Sequence, residues 1–237
     1  MSVFVIIPAA GIGTRMAHAN AGVSKQFIEL KGLPILVHSV RAFLDVPAIT
    51  AIYVAVRDTE QARVSDMLAE HHLSAKVHVV TGGDNRQESV ANALAALPST
   101  SAADIVLVHD AVRPLIDAAT IDRTIDAVIE FGAAIVGLPA VDTIKQVERT
   151  AHGALVTSTI PREYVVLAQT PQGFRYGLLK RAFAEATADG FIGTDEASVV
   201  ERAGLPVAVV HGSQVNLKIT QPGDLELAEF YLQQRAR

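Results

Sequence analysis

Short apolar runs alternate with amphipathic stretches along most of this chain. The runs at 3–7, 49–56, 76–80, 104–109, 133–138 and 206–211 are rich in Val, Ile and Leu, which suits strands buried on both faces. Between them, apolar residues recur at helical spacing over 35–44, 59–71, 86–97, 118–131, 178–188 and 225–234. This alternation predicts an α/β fold, a mostly parallel Rossmann-like sheet with helices on both faces. No fixed-period repeat or low-complexity linker interrupts it, so residues 1–237 are expected to form a single domain.

One segment breaks the rhythm. From 142 to 168 the chain reads DTIKQVERTAHGALVTSTIPREYVVLA, alternating about a His152-Gly153 turn with too little apolar content for a core of its own. It predicts a protruding β-arm, either a homodimer clasp or a hairpin packed on its own subunit.

Composition narrows the function. With 237 residues, half of them hydrophobic, the chain can bury a sizeable core. A net charge of −5 argues against a nucleic-acid surface and against polybasic attachment to a membrane. Zero cysteines exclude disulfides, thiolate metal sites and a cysteine nucleophile. No apolar run is long enough to span a bilayer, and the first strand lacks the charged start and cleavage site of a signal peptide. A cytoplasmic protein is expected.

The strand at 3–7 runs into a turn in which Gly11 and Gly13 let backbone N–H groups approach an anion, with Arg15 and Lys25 close behind. Two fixed cations beside such a turn suit a triphosphate site; the same residues also suit a solvated loop. Two familiar phosphate motifs are excluded. Gly11-x-Gly13-x-x-Met16 lacks the third glycine of the dinucleotide fingerprint, and the next strand ends near Arg57-Asp58, well past the ~20 residues expected for a ribose-binding acid. No G-x-x-x-x-G-K-[ST] P-loop occurs.

Asp110 and Arg113 follow the strand at 104–109, and ligands of open α/β sheets gather at the carboxyl ends of strands. A carboxylate there suits Mg²⁺ shared with substrate phosphates. It equally suits a turn cap, with Arg113-Pro114 stiffening the turn; His109 reads as a strand-end histidine without a role. In VNLKIT (215–220), alternation puts Asn216, Lys218 and Thr220 on the polar face of a short strand, where a lysine is ordinarily just solvated. Gly82-Gly83 marks a strand-to-helix turn whose helix Asp84 can cap, and Thr194 reads as the N-cap of a helix opened by Asp195 and Glu196.

Nine stretches together resemble the 2-C-methyl-D-erythritol 4-phosphate cytidylyltransferases of the non-mevalonate isoprenoid pathway. They are PAAGIGTRM (8–16), SKQF (24–27), PILVHSV (34–40), GGDNRQES (82–89), VHDAVRP (108–114), VDTIK (141–145), QTPQGF (169–174), TDEAS (194–198) and NLKIT (216–220). They occur in the family's order and span nearly the whole chain.

The resemblance implies CTP as donor, methylerythritol phosphate as acceptor, Mg²⁺ as cofactor and a homodimer joined through the β-arm. It assigns Arg15, Lys25 and Lys218 to catalysis at the α-phosphate. Pro8, Ala9, Ala10, Gly11, Gly13, Gly82, Gly83, Asp84 and Ser89 fall to the nucleotide. Asp110, Arg113, Thr143, Arg162, Thr170 and Thr194 fall to the acceptor, with Asp110 also at the metal, and Arg162 and Thr170 reaching over from the arm of the other subunit. The family's usual proline before Lys25 is Ser24 here, and the stretch 17–23 is longer than in many relatives, which predicts a looser loop before CTP binds. Cytidylyltransferases for other polyol phosphates, such as ribitol 5-phosphate, tend to differ at the PAAG and TDEAS stretches. A binding module without activity has no need of Arg15, Lys25, Asp110 and Lys218 together.

Overall fold

The computed structural model describes residues 1–11, 24–98 and 100–235. Among these, the strands are β1 (Val3–Pro8), β2 (Glu29–Leu30), β3 (Leu33–Pro34), β4 (Ile49–Val56), β5 (Val77–Thr81), β6 (Ile105–Val108), β7 (Ala133–Pro139), β8 (Ile144–Thr150), β9 (Gly153–Ile160), β10 (Val166–Arg175) and β11 (Ala208–His211). The helices are α1 (Ile35–Leu44), α2 (Gln61–Glu70), α3 (Arg86–Ala95), α4 (Ala118–Phe131), α5 (Tyr176–Ala188), α6 (Glu196–Arg202) and α7 (Pro222–Arg235). No described helix is long and apolar enough to cross a membrane.

The central sheet has the order β11-β7-β10-β6-β1-β4-β5. Its pairs are parallel except around β10, which runs antiparallel to both β6 and β7. The expected α/β class holds, with one reversed strand that the apolar pattern did not announce. Alternate residues of β1 serve the two faces, as the period of a strand requires. Val3, Val5 and Ile7 pack with Leu36, Val40 and Phe43 of α1 and with Ile121 and Val128 of α4. Phe4 and Ile6 pack with Val90 of α3, Phe183 of α5 and Val200 of α6.

Helix starts follow local chemistry and correct two expectations. Asn85, not Asp84, caps α3, its side chain accepting from the Glu88 N–H at 2.9 Å. Asp195, not Thr194, caps α6 in a capping box closed by Ser198. The stretch 59–71 opens as a 3₁₀ turn, Asp58–Glu60, before α2 begins. The stretch 215–220 is no ladder strand, because Asn216 is buried by hydrogen bonds to β10 while Ile219 enters a small core with Leu30, Leu115 and α7.

The arm is the hairpin β8–β9, antiparallel and, among the described residues, paired only with itself. The last residues assigned to it, Val166 to Ala168, instead open β10 and pair with β7. From β1 the chain builds outward to β4 and β5, and β6 is laid down on the other side of β1. That reversal opens a crevice between the carboxyl ends of β1 and β6, the expected place for a ligand in an open α/β sheet.

Candidate active site

A cavity of about 230 Å³ fills the crevice. Its walls are Pro8 at the end of β1 and Ala9 to Gly11 beyond it, Lys25 and Gln26, Gly83 to Arg86 with Ser89, Asp110 to Val112, and Lys218. The loops are fastened to one another. Gln26 Nε2 donates to the carbonyl of Ala9 at 2.8 Å, and a Cβ on Gly82 would stand 2.8 Å from that of Ala10, so only glycine lets the two loops meet. Ser89 accepts from the Gly83 N–H at 3.0 Å and donates to the Asn85 carbonyl at 2.8 Å. Its hydroxyl shapes the glycine loop from within.

Asp110 is the electrostatic centre. Its Oδ2 receives Lys218 Nζ at 2.9 Å and Arg113 Nε at 3.3 Å, and its Oδ1 receives Arg86 Nη1 in a short contact. Burial alone would raise this carboxyl; the charges of Arg86, Lys218 and Arg113 outweigh burial and hold it well below the usual carboxylate range. Asp110 therefore stays an anion. Arg86 is itself shared, bonding both oxygens of Glu196 at 3.1 and 2.9 Å. Burial drives Glu196 upward, and its ion pair with Arg86 offsets that only in part.

A second, smaller cavity adjoins the first across Arg86, Asp110 and Lys218, and adds Arg113, Ala168, Gln169, Thr170, Gln172, Thr194 and Asp195. The register of β10 shifts between Gln169 and Gln172. There Thr170 Oγ1 accepts the Asp110 N–H at 3.0 Å and meets His109 Nδ1 at 3.0 Å. A bulge of this kind re-aims a side chain, here toward the site. His109 closes the chain of bonds, with Nε2 3.0 Å from the Arg113 carbonyl. Arg113 Nη1 donates to the Asn216 carbonyl at 2.8 Å, and Asn216 Nδ2 to that of Thr170 at 2.8 Å.

Two joined cavities with a shared anion-and-cation cluster suit a donor and an acceptor that both carry phosphate. A family model described as 2-C-methyl-D-erythritol 4-phosphate cytidylyltransferase matches residues 3–234. The chain belongs to the 2-C-methyl-D-erythritol 4-phosphate cytidylyltransferase family. A curated relative of that name from Acidobacterium capsulatum is 66% identical over 238 residues, spanning 100% of this chain and 99% of the relative. Its counterpart in Solibacter usitatus is 51% identical over 240 residues, spanning 100% and 98%. The crystal structure of the Francisella tularensis enzyme aligns at a TM-score of 0.82 with 34% identity, covering 97% of this chain and 99% of that one.

In this member of the cytidylyltransferase family, the first cavity gathers Pro8, Ala9, Ala10, Gly11, Lys25, Gly83, Asp84, Ser89, Asp110 and Lys218, with Gly82 in the adjoining wall. The second gathers Arg113, Thr170 and Thr194 around Asp110 and Lys218. Thr143 and Arg162 line neither; they are exposed at the root of the arm. Gly13, Arg15 and the loop expected to be looser lie outside the described residues. One expectation is corrected: Thr170 belongs to β10 and bonds Asp110 of its own subunit, so it need not come from the other.

Three residues of the cluster were not foreseen as functional: Arg86, Glu196 and Asn216. Each lies inside a quoted stretch, GGDNRQES, TDEAS or NLKIT. For Arg86 and Glu196 the available signal was a charge at the first position of a helix that follows a quoted glycine or threonine turn; Asn216 offered none.

Proposed function

We propose that this chain, as a single nucleotidyltransferase domain, transfers the cytidylyl group of CTP to 2-C-methyl-D-erythritol 4-phosphate. The products are 4-diphosphocytidyl-2-C-methyl-D-erythritol and pyrophosphate. One observation carries the reading: Asp110, ringed by Arg86, Arg113 and Lys218, stands between two joined cavities in a chain matched to the family along its length.

The acceptor phosphate oxygen bonds to the α-phosphorus of CTP as the bond from that phosphorus to the bridging β-phosphate oxygen breaks in line. The electron pair leaves with pyrophosphate. Such a transfer depends on positioning and charge neutralisation. Lys25 in the first cavity and Lys218 on the border of both would supply fixed positive charge to the crowded α-phosphate. The tight loop from Gly82 to Ser89 would select a small pyrimidine through its backbone. Arg113, Thr170 and Thr194 would hold the acceptor.

Asp110 fits Mg²⁺. Its two oxygens offer four lone-pair positions, of which Arg86, Lys218 and Arg113 take three. The described residues hold no group of three or more metal-ligating side chains. That suits an ion held by one carboxylate and otherwise by triphosphate and water, which, when bound, neutralises triphosphate charge.

The arm supports a homodimer. Val156 and its cross-strand partner Val147 are 61% and 46% exposed on it, an apolar pair in want of a cover. A second copy seated there would bring Thr143 and Arg162 to the acceptor phosphate, which an arginine grips through two hydrogen bonds. The expected compartment is the cytoplasm.

The test is pyrophosphate release from each of the four NTPs with methylerythritol phosphate or ribitol 5-phosphate. Release from CTP with methylerythritol phosphate is expected. Preference for the ribitol ester would overturn the acceptor, and release from no combination would overturn the activity.

A further inference from the structure

We propose that Ser24, Arg57 and Glu60 form a clamp that sets the direction of Lys25, making Ser24 a positioning residue for the transfer. The rate readout below rests on the function proposed above; the conformational readout does not.

Lys25 opens a 3₁₀ turn, Lys25–Phe27. Both of its neighbours are buried, Ser24 at 6% and Gln26 at 3% exposure, and each is tied down on a different side. Gln26 holds the Ala9 carbonyl after β1. Ser24 has a different anchor: its hydroxyl donates to Glu60 Oε1 at 3.2 Å and accepts from Arg57 Nη2 at 3.1 Å. Arg57 completes the ring, with Nη2 2.6 Å from Glu60 Oε1 and Nε 3.3 Å from Oε2. Phe27 ends the turn beneath the guanidinium of Arg63, 3.9 Å from the ring centroid. With position 24 held by the Arg57–Glu60 pair after β4 and position 26 by the Ala9 carbonyl after β1, the side chain of residue 25 is delivered to the cavity beside Pro8 to Gly11.

The backbone shows what the ring achieves. Ser24 has φ −62° and ψ 139°, the polyproline region, which serine has no obligation to occupy. Its hydroxyl makes no capping bond to the turn it precedes, although capping is the usual use of a serine there. It bonds the Arg57–Glu60 pair instead. The hydrogen-bonded ring thus holds, through side chains, a dihedral pair whose φ a proline would fix covalently.

That equivalence supplies the test. Ser24→Ala and Ser24→Pro both delete the hydroxyl and both leave Glu60 paired with Arg57, but only the second restricts φ. Ser24→Ala is expected to lower turnover with CTP about fivefold, the scale of one lost hydrogen bond. It should also speed amide exchange at Phe27 and Ile28, whose N–H groups bond the carbonyls of Ser24 and Lys25. Ser24→Pro should keep both properties close to wild type, and Glu60→Gln should follow Ser24→Ala. Equal loss in the alanine and proline variants, or unchanged exchange in the alanine and Glu60→Gln variants, overturns the clamp. If Ser24→Pro fails to fold, Glu60→Gln decides alone. A wild-type protein that releases no pyrophosphate overturns the assigned reaction, and the exchange comparison still decides the clamp.

Discussion

The guanidinium of Arg86 bonds both carboxylate oxygens of Glu196, and its remaining nitrogen reaches Asp110. Glu196 is 1% exposed. A charge buried that deeply survives only with its counter-ion, whereas Arg86 would keep Asp110 as a partner if Glu196 lost its charge. Glu196 therefore holds Arg86 where the two cavities meet. Glu196→Gln keeps the shape and deletes the charge. It should cost about 1 kcal/mol in urea unfolding, the scale of the lost hydrogen bonds, together with a fall in turnover. Arg86→Lys should lose activity as well, because one ammonium cannot reproduce a fork between two carboxylates. An unchanged unfolding midpoint in Glu196→Gln would show that this pair carries no weight.

Lys218 contributes differently. Its side chain is 45% exposed although it meets Asp110 at 2.9 Å, so little stability depends on it. Lys218→Ala and Lys25→Ala should each lower turnover by roughly 10²–10³-fold, the scale of one lost transition-state stabiliser. Thermal unfolding should barely move. Wild-type turnover in either purified variant refutes its role.

Where the sequence was legible, the reason is physical. The parallel strands β1, β4 and β6 are buried on both faces, so they read as unbroken apolar runs, and their carboxyl ends pointed to Gly11 and Asp110. β10 was not legible. Its buried stretch carries Gln169, Thr170, Pro171, Gln172 and Gly173, because it serves the site: Gln172 holds Asp195 Oδ2 at 2.7 Å and the Ala197 N–H at 2.9 Å. A strand that spends its side chains on polar partners looks like a loop. Arg86 and Glu196 look like solvated charges on amphipathic helices until the sheet brings α3 and α6 together. Thr143 and Arg162 line neither cavity among the described residues, so the roles that the resemblance gave them have no local pattern behind them.

Arg162 tests that assembly. It is exposed at the root of the arm, with Nη1 donating to the Val141 carbonyl. If the second copy brings it to the acceptor, Arg162→Ala should raise the KM for methylerythritol phosphate while CTP binding survives. Mixing Arg162→Ala with Lys25→Ala should then restore part of the activity, since one hybrid site receives both intact residues. No rescue after proven subunit exchange would place Arg162 outside the shared site.

His109 predicts a pH dependence of stability. Thr170 Oγ1 already accepts the Asp110 N–H, so its own proton goes to His109 Nδ1, and Nε2–H donates to the Arg113 carbonyl. The first bond requires the neutral ring, whereas the second survives protonation and opposes the shift only in part. Burial pushes His109 down from an ordinary value of 6.5 to about 4. Between those values the unfolded chain binds a proton that the folded chain refuses, so stability falls as pH falls through the window. At pH 5 the loss from this residue is about 2 kcal/mol relative to pH 7. His38, also lowered by burial, acts in the same sense, whereas Glu196, raised by burial, acts against it. The comparison that isolates His109 is therefore His109→Asn, less stable at neutral pH but with a shallower decline toward pH 5. Parallel urea profiles for the two proteins between pH 7 and pH 5 would mean that the ring is not held neutral beneath the site.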